Sequence, residues 1–167
     1  MKKALAMLLV AMIALMGTAF ADNDLKVTYD ESLFTVDMED HGDDEDMISL
    51  GFVNADWGEG YVKLHLADLD DNEEFPTLDS FAEIQAAGVE VTQGEWAGYK
   101  DVFMYSFEDG ANVEQTFIAP VYDDDDDDEV EAILTVTISV DTSVDEQAGM
   151  DRDDAISDLL NTLKIDD

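Results

Sequence analysis

The chain has no cysteine, only two prolines and only seven lysines and arginines in 167 residues. The missing cysteines exclude disulfides, a lipid-anchored leader, thiolate zinc sites and a cysteine nucleophile. Stability must therefore come from packing of the core or from bound ions.

Basic residues are scarce, whereas 43 residues are acidic, which gives a formal net charge of −36. Nucleic acids and anionic membrane surfaces both require a basic footprint on the protein, so neither is expected as a partner. The acidic residues are spread along the chain, a pattern that also suits solubility at high salt, where repulsion between charges is screened.

Long apolar runs are absent after the N-terminal stretch 4–16, which follows two lysines and precedes the triplet Ala-Phe-Ala. This order is typical of a secretory signal peptide, and the run is short for an uncleaved membrane anchor. We predict that residues 1–21 are a signal peptide. Residues 22–167 should form a single domain, secreted or periplasmic and soluble after cleavage.

Periodicity after the leader predicts a mixed fold. Apolar residues at helical spacing predict helices over 77–87 and 152–164. The four strands between these helices should form a meander. The expected class is α+β, an antiparallel sheet of six or more strands with helices packed on it. Alternation of apolar and polar residues predicts strands at 25–28, 33–38, 47–54, 60–67, 89–98, 99–109, 112–122 and 130–140.

Three stretches carry a family resemblance: "YDESLFTVDM", "VEVTQGEWAGYKDVFMYSF" and "AISDLLNTLKI". They are a short aromatic-led hairpin, a strand that returns through a Gly-Tyr turn, and a closing amphipathic helix. In this order the chain resembles the Mog/PsbP-like group, which includes small exported bacterial proteins. The resemblance implies a sheet sandwiched by helices. It implies no single activity and no catalytic motif.

Catalytic chemistry has little support in the sequence. No serine lies in a G-x-S-x-G motif, and the two histidines, His41 and His65, have no zinc-ligand spacing. We interpret both histidines as surface or half-buried residues. A hydrolase that uses two carboxylates is a distant alternative, because that chemistry needs one carboxyl in an apolar pocket.

Calcium is the strongest metal candidate, because it binds six to eight oxygen ligands, mostly from carboxylates. Asp68, Asp70 and Asn72 match the first half of a calcium loop, but Glu73 replaces the required glycine and Asp79 replaces the final glutamate. The segment is therefore not an EF-hand. The other candidate ligands are Asp123, Asp124, Asp125, Asp126, Asp127 and Asp128.

The aspartate run of residues 123–128 lies between two predicted strands. Neighbouring side chains of an extended chain point in opposite directions, so six consecutive aspartates cannot all bind one ion. A solvated loop is the usual structure of such a run, and its charge also protects apolar strands from edge pairing.

Aromatic residues near predicted turns give a second candidate site. Trp57 and Trp96 lie next to or near glycines, with Tyr61 and Tyr99 close in sequence. Together they could line a ligand cleft, although packing at the edge of the core is the alternative.

We predict from these features an exported, non-enzymatic binding or accessory module for a protein or a small ligand, with no cofactor firmly implied. The first alternative is a low-affinity divalent-cation binder, with calcium as the ion. The second is the carboxylate-dependent hydrolase.

A salt titration of the melting temperature tests the calcium alternative. At matched ionic strength we expect calcium, magnesium and sodium to raise the melting temperature of residues 22–167 alike, by screening. A rise with calcium alone at sub-millimolar concentration would contradict this expectation and establish a specific site.

Overall fold

A computed structural model of the chain describes residues 24–42, 45–69, 73–122 and 129–166. The predicted leader and the aspartate run lie outside these residues. The described residues contain nine strands and two α-helices, in chain order: β1 Asp24–Lys26, β2 Phe34–His41, β3 Glu45–Phe52, β4 Gly60–Asp68, α1 Ala82–Ala86, β5 Thr92–Trp96, β6 Tyr99–Asp109, β7 Asn112–Tyr122, β8 Val130–Asp141, α2 Glu146–Leu160 and β9 Lys164–Asp166. Short 3₁₀ helices span Ala55–Trp57 and Leu78–Phe81.

Seven strands form one antiparallel sheet in the order β2-β3-β4-β8-β7-β6-β5. The sheet consists of two meanders, β2 to β4 and β5 to β8, that join where β8 pairs with β4. Strands β1 and β9 form a separate antiparallel pair. The expected α+β class, the sheet of six or more strands and the four-strand meander are confirmed.

The helices cover opposite faces of the sheet. Ile156 of α2 packs in the same cluster as Leu134 and Val136 of β8. On the other face, Ile84 of α1 packs in a cluster with Ile133. Alternate residues of a strand point to opposite faces, so β8 supplies both clusters. Its residues from Ala132 to Ile138 are all buried, including Thr135 and Thr137.

The two helices differ from their predicted bounds. The first is a 3₁₀ turn that continues into a five-residue α-helix, rather than one helix over 77–87. The second begins at Glu146 instead of 152, because the Asp145 side chain accepts a hydrogen bond from the Gln147 amide and caps it. It ends at Leu160, and Lys164 begins β9 instead of closing the helix. No helix within the described residues is long and apolar enough to cross a membrane.

Gly60 allows β4 to approach β8 closely. A Cβ atom at this position would overlap the Ser139 carbonyl oxygen and lie 2.7 Å from Cε2 of Phe52. Gly94 in β5 has more room, because its Cβ would meet only the flexible end of Met104 at 3.2 Å. Neither glycine has a positive φ, so backbone strain does not distinguish them.

Gly60→Ala should lower the free energy of unfolding by roughly 1–3 kcal/mol, because the backbone oxygen of Ser139 cannot move aside without shifting β8. The matched control Gly94→Ala should be nearly neutral. Urea unfolding with an unchanged m-value measures both variants. Equal losses in the two variants would contradict the role assigned to Gly60.

Candidate functional site

A groove of about 600 Å³ lies between α2 and the sheet, in the region of β7 and β8. Its floor comes from residues spaced two apart on each strand, which share one face of the sheet. These are Val113, Gln115 and Phe117 on β7, with Ile138 and Val140 on β8.

Helix α2 provides the opposite wall of the groove. Arg152, Ile156 and Leu160 line it at a spacing of four residues, which places them on one side of the helix. Asp153, Ser157 and Asn161, each the next residue along, add polar groups. The floor of the groove is therefore mostly apolar and its helical wall has both apolar and polar side chains, a combination common in ligand sites.

Trp96 stacks on Phe117 at the third side of the groove. The ring centroids lie 4.3 Å apart and the ring planes differ by 19°. Trp96 ends β5, and the next two residues, Ala97 and Gly98, form the tight turn to β6 with φ values of 49° and 92°. Positive φ at both central residues is what a type I′ hairpin turn requires. The turn thus fixes Trp96 at the end of β5, and its ring stacks on Phe117 of β7 although β6 lies between the two strands in the sheet.

Arg152 is the only arginine in the chain, and its side chain is held from three directions. Its Nη1 donates to the carbonyl oxygens of Asp141 and Trp57, at 2.7 and 3.3 Å. Its Nε donates to Oδ1 of Asp153 at 3.1 Å, and its Nη2 lies 3.0 Å from the same oxygen in an ion pair. The Arg152 side chain is 5% exposed and that of Asp153 66%, so the charge pair lies at the boundary between core and solvent.

The end of β8 beside this arginine carries an ionised carboxylate. Asp141 accepts hydrogen bonds from the Ser143 hydroxyl and amide, at 2.7 and 2.8 Å. These bonds, with a smaller effect of the Arg152 charge, hold the pKa of Asp141 below its ordinary value. The carboxylate is therefore charged at neutral pH.

The four aromatic residues proposed from the sequence do not form one cleft. Trp96 lines the groove, and Tyr99 is its half-buried partner across the hairpin, where burial raises the Tyr99 pKa. Trp57 is buried against Phe34 and Phe52, with ring centroids 6.3 and 5.8 Å away. Trp57 therefore packs in the core, which was the alternative to a ligand cleft.

Tyr61 lies on the opposite face of the sheet from the groove, since it pairs with Ser139 rather than with Ile138. Its hydroxyl donates to Oε2 of Glu114 at 2.8 Å. Burial, more than this contact, raises the pKa of the Tyr61 hydroxyl. Tyr61 and Trp96 therefore cannot contact one ligand in the groove.

The candidate calcium ligands are mostly outside the described residues. This holds for Asp123 to Asp128, Asp70 and Asn72. Asp68 is described, and it is buried at the end of β4. Within the described part of the chain, no group of three or more histidine or acidic side chains could hold a metal ion. Calcium binding by the predicted ligands stays a prediction.

The two histidines contact carboxylates. His65 is buried, rather than at or near the surface as expected, and its Nε2 lies 3.0 Å from Oε2 of Glu45. His41 is exposed and lies between Glu39 and Asp46, whose hydrogen bonds raise the His41 pKa.

Comparisons with protein-family models, with curated proteins and with solved structures found no match. The Mog/PsbP-like resemblance therefore stays a prediction.

Sequence reasoning found Trp96 but missed Phe117 and Arg152 as groove residues. Phe117 looked like any apolar strand residue, because its contact with Trp96 depends on the pairing of three strands. A signal for Arg152 was present: it is the sole arginine, four and eight residues before Ile156 and Leu160. A charged residue on the apolar stripe of a helix indicates a buried polar contact.

Arg152→Met should lower the free energy of unfolding by roughly 2–3 kcal/mol, because two backbone carbonyls lose a charged donor. Asp153→Asn should lower the free energy of unfolding by less than about 1 kcal/mol, since an exposed carboxylate in an ion pair contributes little to stability. Urea unfolding measures both. Similar small losses in both variants would show that the carbonyl contacts of Arg152 do not stabilise the fold.

Proposed function

We propose that this protein is an exported, non-enzymatic binding module that holds a small apolar or aromatic ligand in the groove between α2 and the sheet. The observation that carries the proposal is the Trp96–Phe117 stack beside an apolar floor. A stacked pair of rings is a flat, rigid surface that a planar ligand can contact at little entropic cost.

The size and lining of the groove support a small ligand. Its volume of about 600 Å³ lies in the range of small-molecule sites, roughly 300–1,000 Å³. Ile156 and Leu160 face Val113 and Ile138 across it, so a ligand would lose apolar surface to both walls. Gln115, Ser157 and Asn161 can then orient a polar group of the ligand.

The charged residues of the groove favour binding over catalysis. Arg152 and Asp153 line its wall, and they are bound to each other. The Asp153 carboxylate is exposed and pairs with Arg152, whereas a carboxylate-dependent hydrolase needs one carboxyl enclosed in an apolar pocket.

Nile red, a neutral dye that fluoresces in apolar sites, tests the proposal directly. We expect saturable binding to the purified protein. Trp96→Ala should weaken it by about tenfold, because it removes the aromatic wall. Leu160→Ala should weaken it less, by removing part of the helical wall.

Met150→Ala is the matched control for these variants. Met150 lies on the same helix and is 50% exposed, but it does not line the groove. Dye affinity should not change in this variant. Binding that is insensitive to Trp96→Ala, or that Met150→Ala weakens equally, would contradict the groove as the site.

A further inference from the structure

We propose that the ligand of the groove is an organic cation, a positively charged amine on an aromatic or apolar body. This inference rests on the proposed function, because it assigns a chemical class to the occupant of the same groove.

The charge of the protein is the first support. The chain has a formal net charge of −36, and such a field concentrates cations near the surface and repels anions. Close to the groove, Asp153 lies on its wall with an exposed carboxylate, and Asp141 ends the β8 strand that forms part of its floor. A cationic ligand therefore gains energy both on approach and after entry.

Arg152 is the basic residue among the described residues that line the groove, but it does not reverse the preference for a cationic ligand. Its Nη1 donates to two backbone carbonyls, and its Nε and Nη2 both contact the Asp153 carboxylate. An anionic ligand that approached the guanidinium would also meet the exposed Asp153 carboxylate, which repels it. Because the Arg152 side chain is almost completely buried, its charge is also poorly accessible from the groove.

The aromatic wall is the second, independent support. Trp is the aromatic side chain that attracts cations most strongly, through the negative face of its ring system. Trp96 lines the groove and Phe117 stacks on it, so the groove presents aromatic surface on the side across from the helix. An amine with an aromatic body can combine ring contact with Trp96 and attraction to Asp153.

Displacement of Nile red by three small molecules of matched shape tests the charge of the ligand. Phenethylamine is cationic at neutral pH, phenethyl alcohol is neutral and hydrocinnamate is anionic. At low salt we expect phenethylamine to bind about tenfold more tightly than the alcohol, and hydrocinnamate to bind most weakly. The difference should shrink as salt screens the charges.

The variants Asp153→Asn and Asp154→Asn distinguish the effect of the carboxylate beside the groove from the effect of the protein's overall negative charge. Both residues are exposed neighbours on α2 and both changes remove one charge, but only Asp153 lines the groove. Asp153→Asn should abolish most of the preference for phenethylamine over the alcohol, whereas Asp154→Asn should keep it. Asp153→Glu, which retains the charge, should retain the preference for phenethylamine over the alcohol. Melting temperatures confirm that each variant folds.

The outcomes distinguish the two proposals. If the three molecules displace the dye equally well, the cationic ligand is wrong while the groove remains a binding site. Equal loss of preference in Asp153→Asn and Asp154→Asn would also overturn the inference, since the field alone would then set the preference. If neither the dye nor any of the three molecules binds, the proposed function itself is wrong.

Discussion

Strand β8 bonds to β4 along one edge and to β7 along the other, and this double pairing holds the described fold together. Each meander on its own consists of local hairpins, and the long β4–β8 register makes them one sheet. Because β8 is buried on both faces, it also joins the two apolar layers under α1 and α2. The groove depends on the same strand, since Ile138 and Val140 form its floor while the residues before them anchor the core.

Arg152 shows how a chain with so few cations uses one of them. Its guanidinium joins three separate parts of the chain: the helix α2, the end of β8 at Asp141 and the 3₁₀ turn that ends at Trp57. Backbone carbonyls, rather than acidic side chains, accept two of its hydrogen bonds. Carbonyl oxygens carry only partial charge, so these contacts are less sensitive to salt than ion pairs between exposed side chains.

Local sequence pattern predicted most of the sheet but little of the candidate site. The bounds of β6 and β7 agree with prediction because regular alternation ends at the clear turn signal Asp109-Gly110. The early start of α2 was missed because residues 146–151 have no apolar stripe, and an aspartate cap decides the helix start there. Trp57 and Trp96 have similar neighbours in sequence, yet one is core and the other lines the groove. Only the packing of distant strands distinguishes them.

The pairing of β1 with β9 brings residues 24–26 next to residues 164–166. Asp46 adds a second contact, because its Oδ2 accepts the Leu25 amide at 2.8 Å. A contact between segments so far apart in sequence closes a very large loop, which delays its formation relative to the hairpins. Because synthesis starts at the N-terminus, β1 is made early, and its partner β9 exists only after almost the entire sequence has been made. The seven-stranded sheet can assemble first, and the β1–β9 ribbon then forms late on a finished core.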